Sequence, residues 1–313
     1  MNKIYDMIII GAGPAGLTAG IYGGRAKLNT LIIEKSIPGG QITVTNEVVN
    51  YPGIIETTGA KYAENLKQQA LNFGVEFLSD EVIDLDLSND IKIIKTKSNE
   101  YHAFTVVIAT GATPRKVGFI GEKEYEGRGV AYCATCDGEF FTDMDVFVIG
   151  AGYAAAEEAI FLTKFARKVT IIAREPEFTC AKSIADKVLT HPKIEVKFNT
   201  EILEMSGDFL PRSAKFKNNC TGEITEYQAS TDETFGTFVF IGYAPQSQLF
   251  KGKVEIDEAG FIPTDKNLMS DVNGVFVAGD IRPKNLRQIV TAVADGAEVA
   301  HNIEKYLEHL KKN

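Results

Sequence analysis

The chain is 313 residues long, 44% hydrophobic and 24% charged, with a formal charge of −9: a globular composition, long enough for two domains with separate cores. The acidic balance argues against a nucleic-acid-binding surface, although a basic patch hidden within it would still leave an acidic protein partner open. No apolar run reaches the ~20 residues that cross a bilayer, and four cysteines do not make a disulfide framework, so a reducing cytoplasm is the expected setting.

The amino terminus, MNKIYDMIII, shows no charged region, apolar region and cleavage site in order, so no secretory leader is expected. Residues 4–10 read as a buried strand, and Gly11, Ala12, Gly13, Pro14, Ala15 and Gly16 follow directly before the helical pattern LTAGIYGGRA. Glycines so spaced permit a tight turn, let backbone N–H groups approach a pyrophosphate and let the helix pack close to the strand. The next strand ends on Glu34, where a carboxylate can accept hydrogen bonds from ribose hydroxyls. Strand, turn, helix and terminal acid together predict a dinucleotide site, against the plainer reading of a glycine turn kept for packing. Turn-rich loops at 38–41 and 50–53 precede a helix over 60–73 and strands at 75–78, 91–96 and 103–109. The segment Gly111 to Arg115 then reads as a hinge.

Beyond it lies Cys133-Ala134-Thr135-Cys136-Asp137. Two thiols at this spacing can close and reopen a disulfide, and the adjacent carboxyl can move the proton involved. Half a zinc site has the same spacing, but Cys180 and Cys220 stand singly with no His at ligand spacing, so no metal is expected. For Asp137 the plainer alternative is a helix cap before Gly138. A second strand and glycine turn follow at 145–155, opening the helical AAEEAIFLTKFA, so the unit is repeated in altered form. Its second strand ends on Ala173 where the first ended on Glu34, and Arg174 is followed by Glu175 and Glu177. A 2′-phosphate wants arginines at that edge, and carboxylates there oppose NADPH. Glu175 lies past the position that would suit the 2′-hydroxyl of NADH. Tyr153 is read as filling space in this turn. Strands at 194–198, 214–217, 224–228 and 237–241 lead to a return hinge at 242–245, then to a buried strand ending in Gly279-Asp280 and a last helix from Arg287-Gln288-Ile289.

These motifs in this order, GAGPAG with Glu34, ATG at 109–111, CATCD, GAGYAA and AGD with RQI, resemble the low-molecular-weight thioredoxin reductases over essentially the whole chain. The resemblance implies an α/β fold of two dinucleotide-binding, Rossmann-like, three-layer domains, the second inserted in the first. An FAD domain of 1–113 plus 245–313 would be interrupted at 114–244 by a disulfide-containing, degenerate nicotinamide-nucleotide-type domain. It implies a homodimer, rotation between the domains, and thioredoxin as partner. Carried over by position, Cys136 faces the flavin, Cys133 attacks the partner disulfide and Asp137 handles the proton. FAD contacts fall on Gly11, Gly13, Pro14, Ala15, Gly16, Glu34, Gln41, Asn50, Ala109, Gly111, Gly279, Asp280, Arg287, Gln288 and Ile289.

NADPH-dependent members carry His-Arg-Arg with a further Arg four residues on, where this chain has Ala173, Arg174, Glu175 and Thr179. That loss resembles the ferredoxin-dependent flavin thioredoxin reductases of anaerobic bacteria. Lys164, Arg167, Lys168, Arg174, Lys182 and Lys187 are then read either as a steering patch for acidic ferredoxin or as a solvated face. The rivals are an NADPH- or NADH-dependent reductase, a ferredoxin–NADP reductase and a non-catalytic flavin-dithiol sensor.

Overall fold

Strand β1 (Ile4–Ile10) is apolar along nearly its whole length because both of its faces are covered, as parallel strands require. The computed structural model describes residues 3–45, 47–231 and 233–310. Helix α1 (Pro14–Arg25) begins with Pro at its first position, where the missing N–H is no loss. Strand β2 (Thr30–Glu34), helix α2 (Gly59–Asn72, capped by the Thr58 side chain), β3 (Glu76–Ser79), β4 (Val82–Asp86), β5 (Lys92–Thr96), β6 (Glu100–Ile108) and β7 (Ala112–Pro114) follow. Next come β8 (Val130–Ala131), α3 (Ala134–Asp137), β9 (Asp145–Ile149), α4 (Tyr153–Leu162), β10 (Lys168–Ile172), α5 (Lys182–Leu189) and β11 (Ile194–Lys197). Strands β12 (Thr200–Gly207), β13 (Pro211–Asn218), β14 (Ile224–Gln228), β15 (Phe235–Val239), β16 (Tyr243–Pro245) and β17 (Val275–Val277) precede the long α6 (Ile289–Leu310).

The chain forms two compact units, 1–113 with 244–313, and 114–243. In the first, the sheet order is β3-β2-β1-β6-β5-β4, with β17 pairing parallel to the last residues of β6. Met7 and Ile9 of β1 pack with Leu17, Tyr62 and Val299 from the three helices. Ile8 and Ile10 pack on the opposite face, with Leu85, Ile94, Phe250 and Ile262. Period-two alternation in one strand therefore feeds two cores, which makes three layers.

The second unit repeats the plan with an all-parallel sheet, β11-β10-β9-β15-β8. Val146 and Val148 meet Ala155, Ala159, Leu162 and Val188 of α4 and α5. Phe147 and Ile149 meet Ile202, Met205 and Phe216 of the antiparallel meander β12-β13-β14. Both units are dinucleotide-binding α/β folds, the second inserted in the first. The two crossing strands, β7 and β16, pair with each other. Ala244 joins the first unit, one residue earlier than expected, its carbonyl accepting from Thr113 Oγ1 and Gln246 Nε2 at 3.5 and 3.3 Å.

Seven of these elements escaped the sequence reading: β4, β8, β12, α3 and α5, and the short strands β7 and β16, which lie in the two segments read as hinges. Strand β12 (TEILEMSG) carries polar residues on one face and buries Ile202 and Met205 on the other, so its apolar signal is half that of a buried strand. The strand expected at 237–241 begins two residues earlier, because Phe235 and Gly236 pair with Asp145 and Val146. Among the described residues no helix is long and apolar enough to cross a membrane.

Helices α1 and α6 touch through glycine. A Cβ on Gly296 would lie 2.3 Å from Ala15 O and 3.0 Å from Ala19 N, which are backbone atoms that cannot turn aside. Gly296→Ala is therefore expected to cost about 3 kcal/mol by forcing the helices apart, measured as a lower urea midpoint at unchanged slope.

Candidate active site and cofactor cradle

The three glycines of the first turn do different work. Gly11 has φ +106° and a Cβ there would lie 2.5 Å from Ala109 O; one on Gly16 would lie 1.9 Å from Gly11 O. A Cβ on Gly13 would meet nothing within 4 Å, and Gly13 caps α1 without a side-chain hydrogen bond. Two glycines thus close the turn, and the third leaves the helix amino end approachable by an anion. Glu34 is held in place by Ala12 N–H (2.8 Å) on one oxygen and Ser36 N–H (2.8 Å) on the other. Gly39 N–H donates to Ala12 O at 2.7 Å, which lays the loop carrying Gln41 against the turn. Ala15 faces Gly279, whose φ is +82° and whose Cβ would lie 2.8 Å from the Ala15 Cβ.

Asn50 and Gln288, far apart in sequence, meet through Nδ2–H donating to Oε1 at 3.2 Å, immediately before Ile289 opens α6. The Arg287 guanidinium lies 4.7 Å from the Phe261 ring centre. Gly111 instead accepts from Gln246 N–H at 2.9 Å, beside the crossing strands. Asp280 is largely buried; burial raises its carboxyl pKa, against the opposing charges of Lys284 and Arg287. Its Oδ1 is buried and has no hydrogen-bond partner. A buried acceptor without a donor, beside an open glycine turn and an acid at the second strand's end, fits a dinucleotide that brings its own hydroxyls.

In the second unit Cys133 and Cys136 form a disulfide, with Cα atoms 5.3 Å apart. Cys133 is extended and α3 starts immediately after it, with Asp137 N–H closing the turn onto Cys133 O at 3.1 Å. Thr135 Oγ1 lies 3.4 Å from Cys133 Sγ. Before the dithiol, Tyr132 O–H donates to Glu122 Oε1 at 2.9 Å, and Glu122 also takes the N–H groups of Val117 and Gly118. After it, Gly138 lies against Leu162 and Phe165. The short helix is thereby held at both ends. Asp137 makes no capping hydrogen bond with its side chain, which removes the helix-cap reading. Burial raises its carboxyl to a pKa of about 6.

The second glycine turn keeps its shape: Gly150 has φ +139° and Gly152 caps α4 without a side-chain bond. Tyr153 is 52% exposed, so it does not fill the turn as expected; it is the first residue of α4 and points to solvent. Thr179 N–H and Oγ1 both donate to Ala151 O, at 2.9 and 3.2 Å, so the segment after β10 is tied to the turn. Ala173 is buried, and Arg174 Nε lies 2.9 Å from Glu175 Oε1.

Three of the six residues of the expected steering patch, Arg167, Lys168 and Arg174, are engaged in ion pairs. Arg167 lies between Asp145 and Glu233, each 2.9 Å away, Lys168 pairs with Glu195, and Lys164 lies 4.8 Å from the Phe161 ring centre. Sequence reading missed Arg282, Lys284 and Asp295, which form a part-buried ionic cluster behind Gly279; only their shared neighbourhood with the Gly-Asp turn could have signalled them. Among the described residues no group of three or more His, Cys, Asp or Glu is arranged to hold a metal ion.

A family profile described as pyridine nucleotide-disulphide oxidoreductase matches residues 5–296. The chain belongs to this family. Within it the chain falls among the low-molecular-weight thioredoxin reductases. It is 54% identical over 310 residues to a thioredoxin reductase of Peptoclostridium acidaminophilum, covering 98% of each chain. It is 41% identical to that of Bacillus subtilis over 99% of this chain and 97% of the relative. The crystal structure of thioredoxin reductase from Streptococcus pyogenes superposes with a TM-score of 0.91 at 38% identity, covering 99% of this chain and 100% of the other. Members of this family are FAD flavoproteins, and FAD is the cofactor of this chain.

Because Asp137 titrates near 6 when folded, against 3.8 ordinarily, the folded state keeps a proton that the unfolded chain loses between about pH 4 and 6. That contribution to stability is full below about pH 4 and is lost as pH rises through about 6, a change on the order of 3 kcal/mol at most. Asp137→Asn is therefore expected to melt above the parent at about pH 7.5, with the advantage gone at about pH 4. An advantage independent of pH would contradict the burial of this carboxyl.

Proposed function

We propose that this chain reduces the disulfide of a thioredoxin through FAD and the Cys133–Cys136 pair, and takes its electrons from a reduced ferredoxin-class iron–sulfur protein rather than from NADPH. One observation carries the choice of donor: at the edge where a 2′-phosphate would be gripped stand Ala173 and an Arg174 already paired with Glu175. The Arg174 Nε is engaged by its own neighbour, and the Glu175 carboxylate held beside the remaining guanidinium NH2 groups repels a dianionic phosphate. The names of the relatives support thioredoxin as substrate.

FAD, when bound, supplies a carrier that accepts electrons singly or in pairs. The residues read as holding it are the Gly11–Gly16 turn for the pyrophosphate, Glu34 for a ribose, Asp280 through its unpaired oxygen, and Gln41, Asn50, Ala109, Gly111, Gly279, Arg287, Gln288 and Ile289 around them. Two electrons and two protons convert the Cys133–Cys136 disulfide to a dithiol. The Cys133 thiolate then attacks one sulfur of the thioredoxin disulfide, forming a mixed disulfide and expelling the other sulfur as a thiolate. Cys136 attacks Cys133 Sγ, which restores the intramolecular disulfide and releases the second thioredoxin thiol. Asp137, poised near neutrality and adjacent to Cys136, gives and takes the proton that these thiols exchange. We read the working assembly as a cytoplasmic homodimer.

A second reading, dependence on NADH or NADPH, rests on the intact Gly150–Gly152 turn with its uncapped helix. Anaerobic mixing separates the two. Micromolar NADPH is expected to leave the flavin absorbance near 450 nm unbleached over minutes, whereas reduced ferredoxin with thioredoxin sustains turnover; rapid bleaching by NADPH would sink the ferredoxin assignment. Asp137→Asn is expected to slow thioredoxin turnover by about a hundredfold, and Cys133→Ser or Cys136→Ser by about a thousandfold or more. Full activity without the dithiol would instead favour a ferredoxin–NADP reductase. A single slow reduction without turnover would favour a sensor.

A further inference from the structure

We infer that Asp295, inside α6, is a positioning residue for the cofactor: it keeps Lys284 and Arg282 away from Asp280, so that the Asp280 carboxylate stays available to the ligand. An Asp in a helix interior is disfavoured, and one buried to 8% exposure persists only if its charge is answered. Its answer is complete. Oδ2 accepts from Gly279 N–H and Lys284 Nζ, both at 2.8 Å, and Oδ1 accepts from Arg282 at 3.0 Å. On either side of this cluster the backbone is locked on Ala15, by Gly279 from one direction and by Gly296, the residue after Asp295, from another.

Asp280, next after Gly279, is left with a buried oxygen that has no protein donor. Lys284 is near enough for its charge to act on Asp280, yet its ammonium is taken by Asp295 and by Thr291 O at 3.5 Å. Without the Asp295 charge, Asp280 is the anion on which this part-buried lysine still acts, and an ion pair there would occupy the atom read as receiving a cofactor hydroxyl. The inference rests on that reading of Asp280.

The test is flavin release from diluted holoenzyme, followed as the recovery of free-flavin fluorescence. Asp295→Asn keeps the size and one acceptor oxygen for Gly279 N–H, removes the charge and turns the other acceptor into an NH2 donor. It is expected to release flavin about tenfold faster or more, and the double variant Asp295→Asn with Lys284→Met to return to within about threefold of the parent. Asp280→Asn tests the underlying reading: parental retention in that variant would overturn the role of Asp280 itself. Parental retention in Asp295→Asn while Asp280→Asn loses flavin overturns the role of Asp295 alone. Equal loss in the single and double Asp295 variants overturns the capture of Lys284, and the double variant remains decisive should the single one fail to fold.

Discussion

Three absent Cβ atoms around Ala15 and the first glycine turn set the geometry on which the flavin unit depends. Gly16 lies under the Gly11 carbonyl, Gly279 presses on the Ala15 methyl, and Gly296 presses on the Ala15 carbonyl. Each approach is closer than a side chain allows, and together they bring β1, the end of β17 and the middle of α6 to one point. Several of the groups read as holding the cofactor are arranged about that point. Glu34 is tied to Ala12 in the turn, the loop of Gln41 is tied to the same residue, and Asp280 follows directly on Gly279. Packing density, rather than any single polar contact, fixes the site.

The second unit shows how the same architecture serves another purpose. Its glycine turn and parallel sheet persist, but the chemistry has moved to a short helix after β8, where burial rather than a neighbouring charge tunes the acid. Asp137 has no opposing cation to hold it ionised; desolvation alone brings it toward neutrality. A carboxyl of this kind exchanges protons with thiols more readily than one at its solution value, and the disulfide beside it is held between the Tyr132–Glu122 bond and the packing of Gly138.

Charge pairing is local around the second unit's nucleotide edge. Arg174 with Glu175, Arg167 with Asp145 and Glu233, and Lys168 with Glu195 are largely exposed pairs that add little to stability. Their consequence is local: they engage three of the six basic residues that a linear reading assigned to an acidic partner.

The contiguous motifs were legible without a structure: two glycine turns, a dithiol with its acid, and an edge where a single arginine is followed by two carboxylates. Each encodes its meaning within a few residues, through backbone conformations open only to glycine or through reactive groups adjacent in sequence. The longer buried parallel strands were legible for a related reason, since a strand covered on both faces is apolar throughout, whereas two-residue β8, half-covered β12 and the short α5 were not. What only the tertiary structure decided was non-local. It joined Asn50 to Gln288, set Asp295 behind Gly279, matched Arg167 with Glu233, turned Tyr153 outward and buried Asp137 far enough to move its proton. Burial and charge pairing depend on which distant segments fold against a residue, and no window along the chain contains them.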